Sequence, residues 1–150
     1  MVHSRLKTPK FQTSHAILTL SGKYLLQLRN HIPTISAPGQ WSLFGGRVND
    51  GETPLQAMKR ELSEELEISP AKFIELWPID YFAPFEKEVV RTWLFAAEVE
   101  DVWSRHKLNE GVDVQAFRYE ELDSIDIPSV MKEAIRKYHE QKESSLKCLK

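Results

Sequence analysis

The chain has a single cysteine, Cys148, which lies in a polar C-terminal segment. A disulfide framework and a cysteine-based zinc site are therefore excluded, and this usage fits the reducing cytoplasm. Long apolar runs are also lacking, so no membrane span is expected. Residues 1–14 contain no apolar stretch of the kind that a secretory signal needs. The sequence predicts a cytoplasmic protein that does not associate with membranes.

A large net charge is also missing, because 20 Lys and Arg residues nearly balance 22 Asp and Glu residues and leave −2. Such a chain has no broad attraction for nucleic acid or anionic lipid, and we expect no nucleic-acid partner. A polyanionic substrate must then be met locally, by a metal or a few basic side chains. With 150 residues, of which 41% are hydrophobic, the chain has the size of one domain, and we expect 1–150 to form it.

The order of predicted elements is strands, helix, strands, helix. The strand predictions are 15–20, 23–29, 74–82, 89–99 and 114–119, with a hairpin turn at Ser21-Gly22 and a short apolar run over 41–44. The helix predictions are a segment that begins at Thr53-Pro54 and ends before Pro70, and 129–141. Residues 30–40 are predicted to be a loop, and 1–13 and 142–150 flexible tails. This order favours an α+β fold in which a mixed sheet packs between helices, an α/β/α sandwich.

The first helix has a strong start signal. Thr53 can cap it, Pro54 suits the first helical position, and Gln56 completes a capping box. One stripe of the helix is apolar and is expected to face the core; it contains Leu55, Met58, Leu62 and Leu66. The neighbouring stripe contains Ala57, Glu61, Glu64 and Glu65, and its acids are expected to point away from the core.

The acidic stripe has two interpretations. Glu61 lies three and four residues before Glu64 and Glu65, so like charges meet on one face and repel. A solvated surface helix is the plain interpretation. The neighbours favour a divalent cation, because Gly46 allows close backbone approach and Arg60 can orient a carboxylate. Oxygen ligands of this kind suit magnesium, which takes one or two carboxylates together with phosphates and water.

Residues 46–68 resemble the Nudix box, G-x5-E-x7-R-E-U-x-E-E-x-G-U, in which U is bulky and apolar. The matching positions are Gly46, Glu52, Arg60, Glu61, Leu62, Glu64, Glu65 and Ile68. At average residue usage, the six fixed Gly, Glu and Arg matches would coincide roughly once in 10^7 start positions. The resemblance therefore implies a Nudix-like fold over most of the chain.

The resemblance also implies a reaction. Nudix hydrolases cleave the diphosphate linkage of compounds in which a nucleoside diphosphate is joined to a further group. Divalent metal neutralises the phosphate oxygens, and a carboxylate or the metal activates the attacking water. By position in the box, Glu61, Glu64 and Glu65 are the implied metal ligands for Mg²⁺, with Mn²⁺ as an alternative. The carbonyl of Gly46 is a weaker candidate ligand.

The resemblance also implies residues that support the metal ligands, and it leaves several candidates for the general base. Glu52 and Arg60 are expected to orient the ligands through hydrogen bonds and an ion pair. The candidates for the general base are Glu64, Glu65 and Glu110. Glu110 is included because oxidised-nucleotide hydrolases of the family carry a similar Glu-Gly pair in a late loop. For Glu110 the alternative is an exposed loop acid without a role.

One position departs from the pattern, because Glu67 stands where the box has its second glycine. That glycine commonly ends the helix in the left-handed conformation, where another residue costs about 1 kcal/mol. The carboxylates lie upstream, so we expect altered loop geometry after the helix and retained chemistry.

The substrate is indicated only weakly. The run from Trp41 to Gly46 is similar to that of oxidised-purine triphosphatases, whereas the loop before it is similar to that of nucleotide-sugar hydrolases. Arg29, at a strand end, and Phe44 are the predicted substrate contacts. A small nucleotide is the expected partner, and family members often form homodimers. A nucleotide-sensing domain without hydrolysis is the alternative function, although such domains often lose box carboxylates that are present here.

Overall fold

The computed structural model describes residues 8–35 and 37–148, and its strands form one mixed seven-stranded sheet. The strands are β1 (Phe11–Leu20), β2 (Lys23–Leu28), β3 (Trp41–Ser42), β4 (Phe44–Arg47), β5 (Ile74–Ala83), β6 (Glu88–Glu98) and β7 (Asp113–Phe117). The helices are α1 (Pro54–Leu66) and α2 (Ser129–Cys148), with short 3-10 helices at Trp103–Arg105 and Tyr119–Ser124. Neither α-helix in the described ranges is long and apolar enough to cross a bilayer.

Strand β1 is the centre of the sheet. One edge pairs in parallel with β6, and β5 pairs antiparallel with the far side of β6. The other edge of β1 pairs antiparallel with β4 and, further along, with β2. Strands β3 and β7 both pair with β2. This register places Ser14, in the middle of the sheet, opposite Gly46 on β4.

Two apolar cores lie on opposite faces of the sheet. On one face, α1 packs against β1 and β6, with Met58, Leu62, Leu66, Ala16, Leu18 and Phe95 among the buried residues. On the other face, α2 packs against the same strands, with Ala134, Ile135, Tyr138, Ile17 and Leu94 among the buried residues. Residues that alternate along a strand point to opposite faces, which is why Ile17 and Leu18 belong to different cores. The predicted α/β/α sandwich is confirmed.

The first strand begins earlier and the last helix ends later than predicted, so both elements extend into the segments that were expected to be tails. Strand β1 begins at Phe11, because Phe11 pairs with Val90 and its ring lies 3.7 Å from the Arg47 guanidinium. Helix α2 continues beyond residue 141 to Cys148. Residues 1–7, 149 and 150 lie outside the described ranges. The other predicted strand ends agree to within two residues, and the run over 41–44 divides into β3 and β4.

Candidate functional site

Helix α1 begins as its sequence predicts. The Thr53 hydroxyl accepts a hydrogen bond from the Gln56 amide at 3.1 Å, and the Gln56 side chain accepts one from the Thr53 amide at 2.9 Å. The fully buried Ser14 hydroxyl donates to the Pro54 carbonyl at 2.7 Å. The first turn of the helix is therefore fixed to the central strand, which sets the position of the acids further along.

The rotation of α1 on the sheet differs from the predicted one. Leu55 is 37% exposed, so its assignment to the core stripe is wrong. The buried residues of the helix are Ala57, Met58, Leu62, Glu65 and Leu66. The acids therefore do not all point away from the core, because the buried stripe includes Glu65.

Gly46 is a cradle for the Glu61 carboxylate. A Cβ atom built on Gly46 would lie 2.5 Å from the Glu61 carboxyl carbon, closer than any side chain allows. The Glu61 side chain is only 13% exposed. Glycine at this position therefore lets β4 and the acidic face of α1 come into direct contact.

The Arg60 side chain forms hydrogen bonds with three of the acids. Its guanidinium forms a two-point ion pair with Glu52, at 2.7 Å and 3.0 Å. It also donates to Glu61 at 2.8 Å, to Glu64 at 3.3 Å and to the carbonyl of Arg47 at 2.8 Å. The hydrogen bonds from Arg60 hold the pKa of Glu52 below its ordinary value. The structure thus brings Glu52, Arg60, Glu61 and Glu64 together.

Glu65 is the buried member of the group. It is 1% exposed, and its Oε2 accepts from Gln27 Nε2 at 3.2 Å. Its Oε1 is buried and accepts no hydrogen bond of ordinary geometry, although the backbone amide of Gly45 lies near the carboxyl group and acts against the rise in its pKa. A carboxylate oxygen left without a partner costs free energy unless it is protonated or meets a cation.

Burial and crowding raise the pKa values of two acids. The pKa of Glu65 is raised to about 9, chiefly by burial and then by the negative charges of Glu61 and Glu110. The pKa of Glu61 is raised by burial, against the lowering effect of Arg60. Perturbed carboxyl groups that lie together are typical of functional sites.

Glu110 is brought to the same cluster from a distant loop. It is exposed, and its charge acts on both Glu61 and Glu65. The next residue, Gly111, has φ +82° and no room for a side chain, because a Cβ would lie 2.8 Å from the Leu28 carbonyl. The Glu-Gly pair therefore places an acid close enough for its charge to act on the cluster, and the role of Glu110 as the base stays a prediction.

The end of α1 retains the left-handed turn at Glu67 itself. Glu67 has φ 54° and ψ 39°, and its amide donates to the Ser63 carbonyl at 3.1 Å. The helix therefore runs unbroken past Glu64 and Glu65. Glu67 thus adopts the left-handed conformation for which the Nudix box usually has a glycine. The expected change in loop geometry is therefore not seen at this residue.

The two predicted substrate contacts have different surroundings. Phe44 is fully buried in the core on the α1 face, which contradicts a contact between its side chain and substrate. Arg29 is half-buried at the end of β2, and its charge contributes to lowering the pKa of the buried His15 to about 4, after burial itself. Arg29 stays a predicted contact.

Sequence reasoning missed Gln27 and Asn109. Gln27 is 2% exposed and reaches both Glu65 and the Leu43 carbonyl. A signal was available, because Gln27 interrupts an apolar strand at a position that shares its face with the buried Leu25. Asn109 directly precedes Glu110 and contacts the end of α1. No sequence pattern pointed to that contact.

The oxygen atoms of this site are of the chemical type that a hard divalent cation binds. The site offers carboxylate oxygens, including the unpartnered Glu65 Oε1, beside a glycine cradle. Within 8–35 and 37–148, however, no three His, Cys, Asp or Glu side chains already converge as a metal-binding group. In the described structure, the carboxylates of Glu61 and Glu64 both accept hydrogen bonds from the Arg60 guanidinium.

Comparisons with solved structures identify proteins of the same fold. MutT protein from Methanosarcina mazei Go1 superposes with a TM-score of 0.77 at 20% identity, over 92% of this chain and 99% of that one. The NUDIX domain of Shewanella oneidensis NrtR, solved with ADP ribose, gives 0.73 at 19% identity and covers 89% of both chains. MutT NUDIX hydrolase from Burkholderia pseudomallei gives 0.69 at 21% identity, over 87% and 98%. These likenesses establish a shared fold.

Sequence comparison establishes the family. No curated protein sequence matches the chain. The family model described as NUDIX domain matches residues 10–138, which include both the acidic helix and the loop that carries Glu110. The chain therefore belongs to the Nudix hydrolase family, a family of pyrophosphohydrolases.

Proposed function

We propose that this protein hydrolyses the diphosphate linkage of a nucleotide in a reaction that depends on Mg²⁺, with Mn²⁺ as an alternative. The observation that supports this most directly is the buried Glu65 carboxylate, whose Oε1 accepts no hydrogen bond and whose pKa is raised in part by the charge of Glu61, the acid that rests on Gly46. Glu61, Glu64 and Glu65 would hold the metal, together with the carbonyl of Gly46. The bound metal would neutralise phosphate oxygens and act as a Lewis acid.

The remaining chemistry falls to the side chains around these ligands. Arg60, anchored by both oxygens of Glu52, orients Glu61 and Glu64. A carboxylate must accept the proton of the attacking water as its oxygen bonds to phosphorus and the leaving phosphate departs. Glu64 and Glu110 suit this role better than Glu65, because both are exposed whereas Glu65 is buried with a raised pKa.

Two substrate groups fit the proposal. Nucleoside triphosphates, including oxidised or otherwise modified ones, and nucleoside diphosphates joined to a further group, such as nucleotide sugars, both contain the required linkage. The similarity in fold to MutT proteins supports the first group, and the similarity to a domain solved with ADP ribose supports the second. Arg29 is the proposed phosphate contact in either case.

A phosphate-release panel tests the function. Wild-type protein with Mg²⁺ or Mn²⁺ is assayed against ordinary and modified nucleoside triphosphates, nucleotide sugars, dinucleoside polyphosphates and ADP-ribose, with chelator as the blank. We expect metal-dependent turnover of at least one member. Measurable binding of a member without turnover of any would favour the alternative, a domain that senses a nucleotide.

Substitution of Gly46 by alanine tests the cradle. The new Cβ would displace the Glu61 carboxylate, which is the end of a flexible side chain, so the protein should fold normally. We expect the affinity for Mn²⁺, measured by electron paramagnetic resonance, to fall about tenfold. Gly51→Ala is the matched control. Gly51 has φ +83° and open space around it, so this variant should lose stability and keep its Mn²⁺ affinity. Equal Mn²⁺ affinities in wild type and Gly46→Ala would contradict the cradle.

The predicted homodimer is a separate matter from the chemistry. Family members often pair, and light scattering of the purified protein at micromolar concentration tests whether this chain does.

A further inference from the structure

The last four carbonyl groups of a helix have no partner within the helix. In α1, all four accept a hydrogen bond from another group. Ser63 O accepts from the Glu67 amide. Glu65 O accepts from the Asn109 amide at 2.9 Å, and Leu66 O accepts from the Lys107 amide at 3.0 Å. Glu64 O accepts from Asn109 Nδ2 at 3.0 Å. Three of these four carbonyls therefore bind one segment, 107–109, that lies far away in the sequence.

Glu67 adds a side-chain contact to this junction. Its Oε2 accepts from Asn109 Nδ2 at 2.9 Å. A side-chain amide has two hydrogens, so Asn109 can donate to Glu64 O and to Glu67 Oε2 at once. Glycine would relieve the left-handed backbone at this position, but it would offer no acceptor to Asn109. The residue that departs from the family pattern thus adds a side-chain contact to the backbone contacts between the end of α1 and this loop.

Glu110 is held from both sides. Asn109, which precedes it, is bound to the end of α1, and Val112 donates its amide to the Leu28 carbonyl at 2.8 Å. Gly111 packs against the same carbonyl. The Asn109 amide donates to the Glu65 carbonyl at 2.9 Å, so this anchored segment holds the neighbouring Glu110 beside the end of α1, where its charge acts on Glu61 and Glu65.

We propose that the Glu67–Asn109 contact is a latch that positions Glu110 against the carboxylates of α1. Glu67 is a positioning residue here, since it acts through Asn109 and the loop. This inference rests on the proposed function, in which Glu110 takes part in hydrolysis. Glu67 has a left-handed backbone conformation, which glycine would adopt at less cost, so a purely structural role predicts that Glu67→Gly leaves turnover unchanged whereas the latch predicts a loss.

The test separates turnover from stability. We expect Glu67→Gly to lower kcat about tenfold, with KM changed less than about twofold and no fall in melting temperature. Glu67→Gln, which keeps an oxygen acceptor for Asn109, should recover kcat to within about twofold of wild type. Glu67→Gly combined with Asn109→Ala should be no slower than Asn109→Ala alone, because Asn109→Ala already removes the contact that Glu67→Gly removes.

Lys87→Gly is the matched control. Lys87 is also exposed and left-handed, with φ 57°, but it lies in the turn between β5 and β6. Like Glu67→Gly, this variant should show no fall in melting temperature, and it should keep its kcat. Three results would each contradict the proposed latch. They are a wild-type kcat in Glu67→Gly, an equal fall of kcat in Lys87→Gly, and a kcat in Glu67→Gln that stays as low as in Glu67→Gly.

Amide hydrogen exchange tests the latch without relying on catalysis. We expect the Asn109 amide to exchange about tenfold faster in Glu67→Gly than in wild type, and at the wild-type rate in Lys87→Gly. Unchanged exchange in Glu67→Gly overturns the latch even if the enzyme is active. Faster exchange in a protein that turns over no member of the panel supports the latch and rejects the proposed function.

Discussion

Replacing Glu64 by glutamine is expected to lower kcat about a thousandfold while leaving the fold intact. The Glu64 side chain is 52% exposed, and its carboxylate contacts the Arg60 guanidinium at 3.3 Å. Glutamine has the same size, so packing does not change. An amide has no charge to offer a divalent cation, however, and it cannot accept a proton from water. Steady-state kinetics on the best substrate of the panel, with circular dichroism as the check on folding, measure the effect.

Glu110→Gln decides what the loop acid does. We expect a loss of about a hundredfold, since Glu110 lies at the edge of the cluster and is not among the helix carboxylates. Glu75→Gln, at an exposed position on the edge strand β5, is the control and should retain full activity. Near-normal turnover in Glu110→Gln, together with a loss of orders of magnitude in Glu64→Gln, would show that Glu110 is not the base. Near-normal turnover in Glu64→Gln would reject the first prediction.

The parts of the site that depend on local geometry could be predicted from the sequence. The capping box at Thr53 fixes the start of α1, and helical spacing then brings Arg60, Glu61 and Glu64 to one side. Gly46 is predicted to let the backbone approach an ion or phosphate, and the structure shows the Glu61 carboxylate in the space that a side chain at this position would fill. The approach to an ion stays a prediction. These relations need only the geometry of one helix and one tight strand end.

The parts that depend on how elements pack could not be predicted in this way. Spacing shows that two side chains share a face, but it does not show which face lies against the sheet. Leu55 and Glu65 exchange their expected environments because α1 is rotated so that Glu65 meets Gln27 on β2. Phe44 belongs to the core for the same reason, since the face it occupies is set by its pairing with Ala16 on β1.

The contact between Glu67 and Asn109 shows a further limit. The sequence identified Glu67 only as a departure from a pattern, and the helix end satisfies its carbonyls with a loop more than forty positions further on. Nothing local to either residue encodes the pairing. It exists because β7 returns to β2 and places the preceding loop beside the end of α1.

Glu65→Gln is expected to make the metal-free protein more stable at neutral pH while it removes activity. Burial, with the charges of Glu61 and Glu110, raises the Glu65 pKa from 4.5 to about 9. The folded protein therefore holds this proton between pH 4.5 and 9, whereas the unfolded chain has released it. The resulting stabilisation is complete below pH 4.5 and is lost as the pH rises towards 9.

The loss of stability at a given pH follows from how far that pH lies above the ordinary Glu65 pKa of 4.5. At pH 7, keeping the proton on Glu65 costs on the order of 3 kcal/mol relative to the acidic limit, which is large beside the stability of a small domain. Glutamine has no proton to keep and can still accept from Gln27. We expect urea unfolding in chelator to show a steep fall in stability from pH 5 to 9 for wild type and a much shallower one for Glu65→Gln. Glu75→Gln, which removes an exposed carboxyl group, should follow wild type.

Divalent cation should reverse the order of the two proteins. Metal binds the ionised carboxylate, so Mg²⁺ should stabilise wild type more at pH 8.5 than at pH 6 and should release a proton as it binds. Glu65→Gln should gain little from Mg²⁺ at either pH. An identical pH slope in wild type and Glu65→Gln would mean that Glu65 is ionised in the folded, metal-free protein. The buried Oε1 would then have to be satisfied by a neighbour, and the cost that a cation relieves at this helix would be the repulsion between Glu61, Glu64 and Glu65 alone.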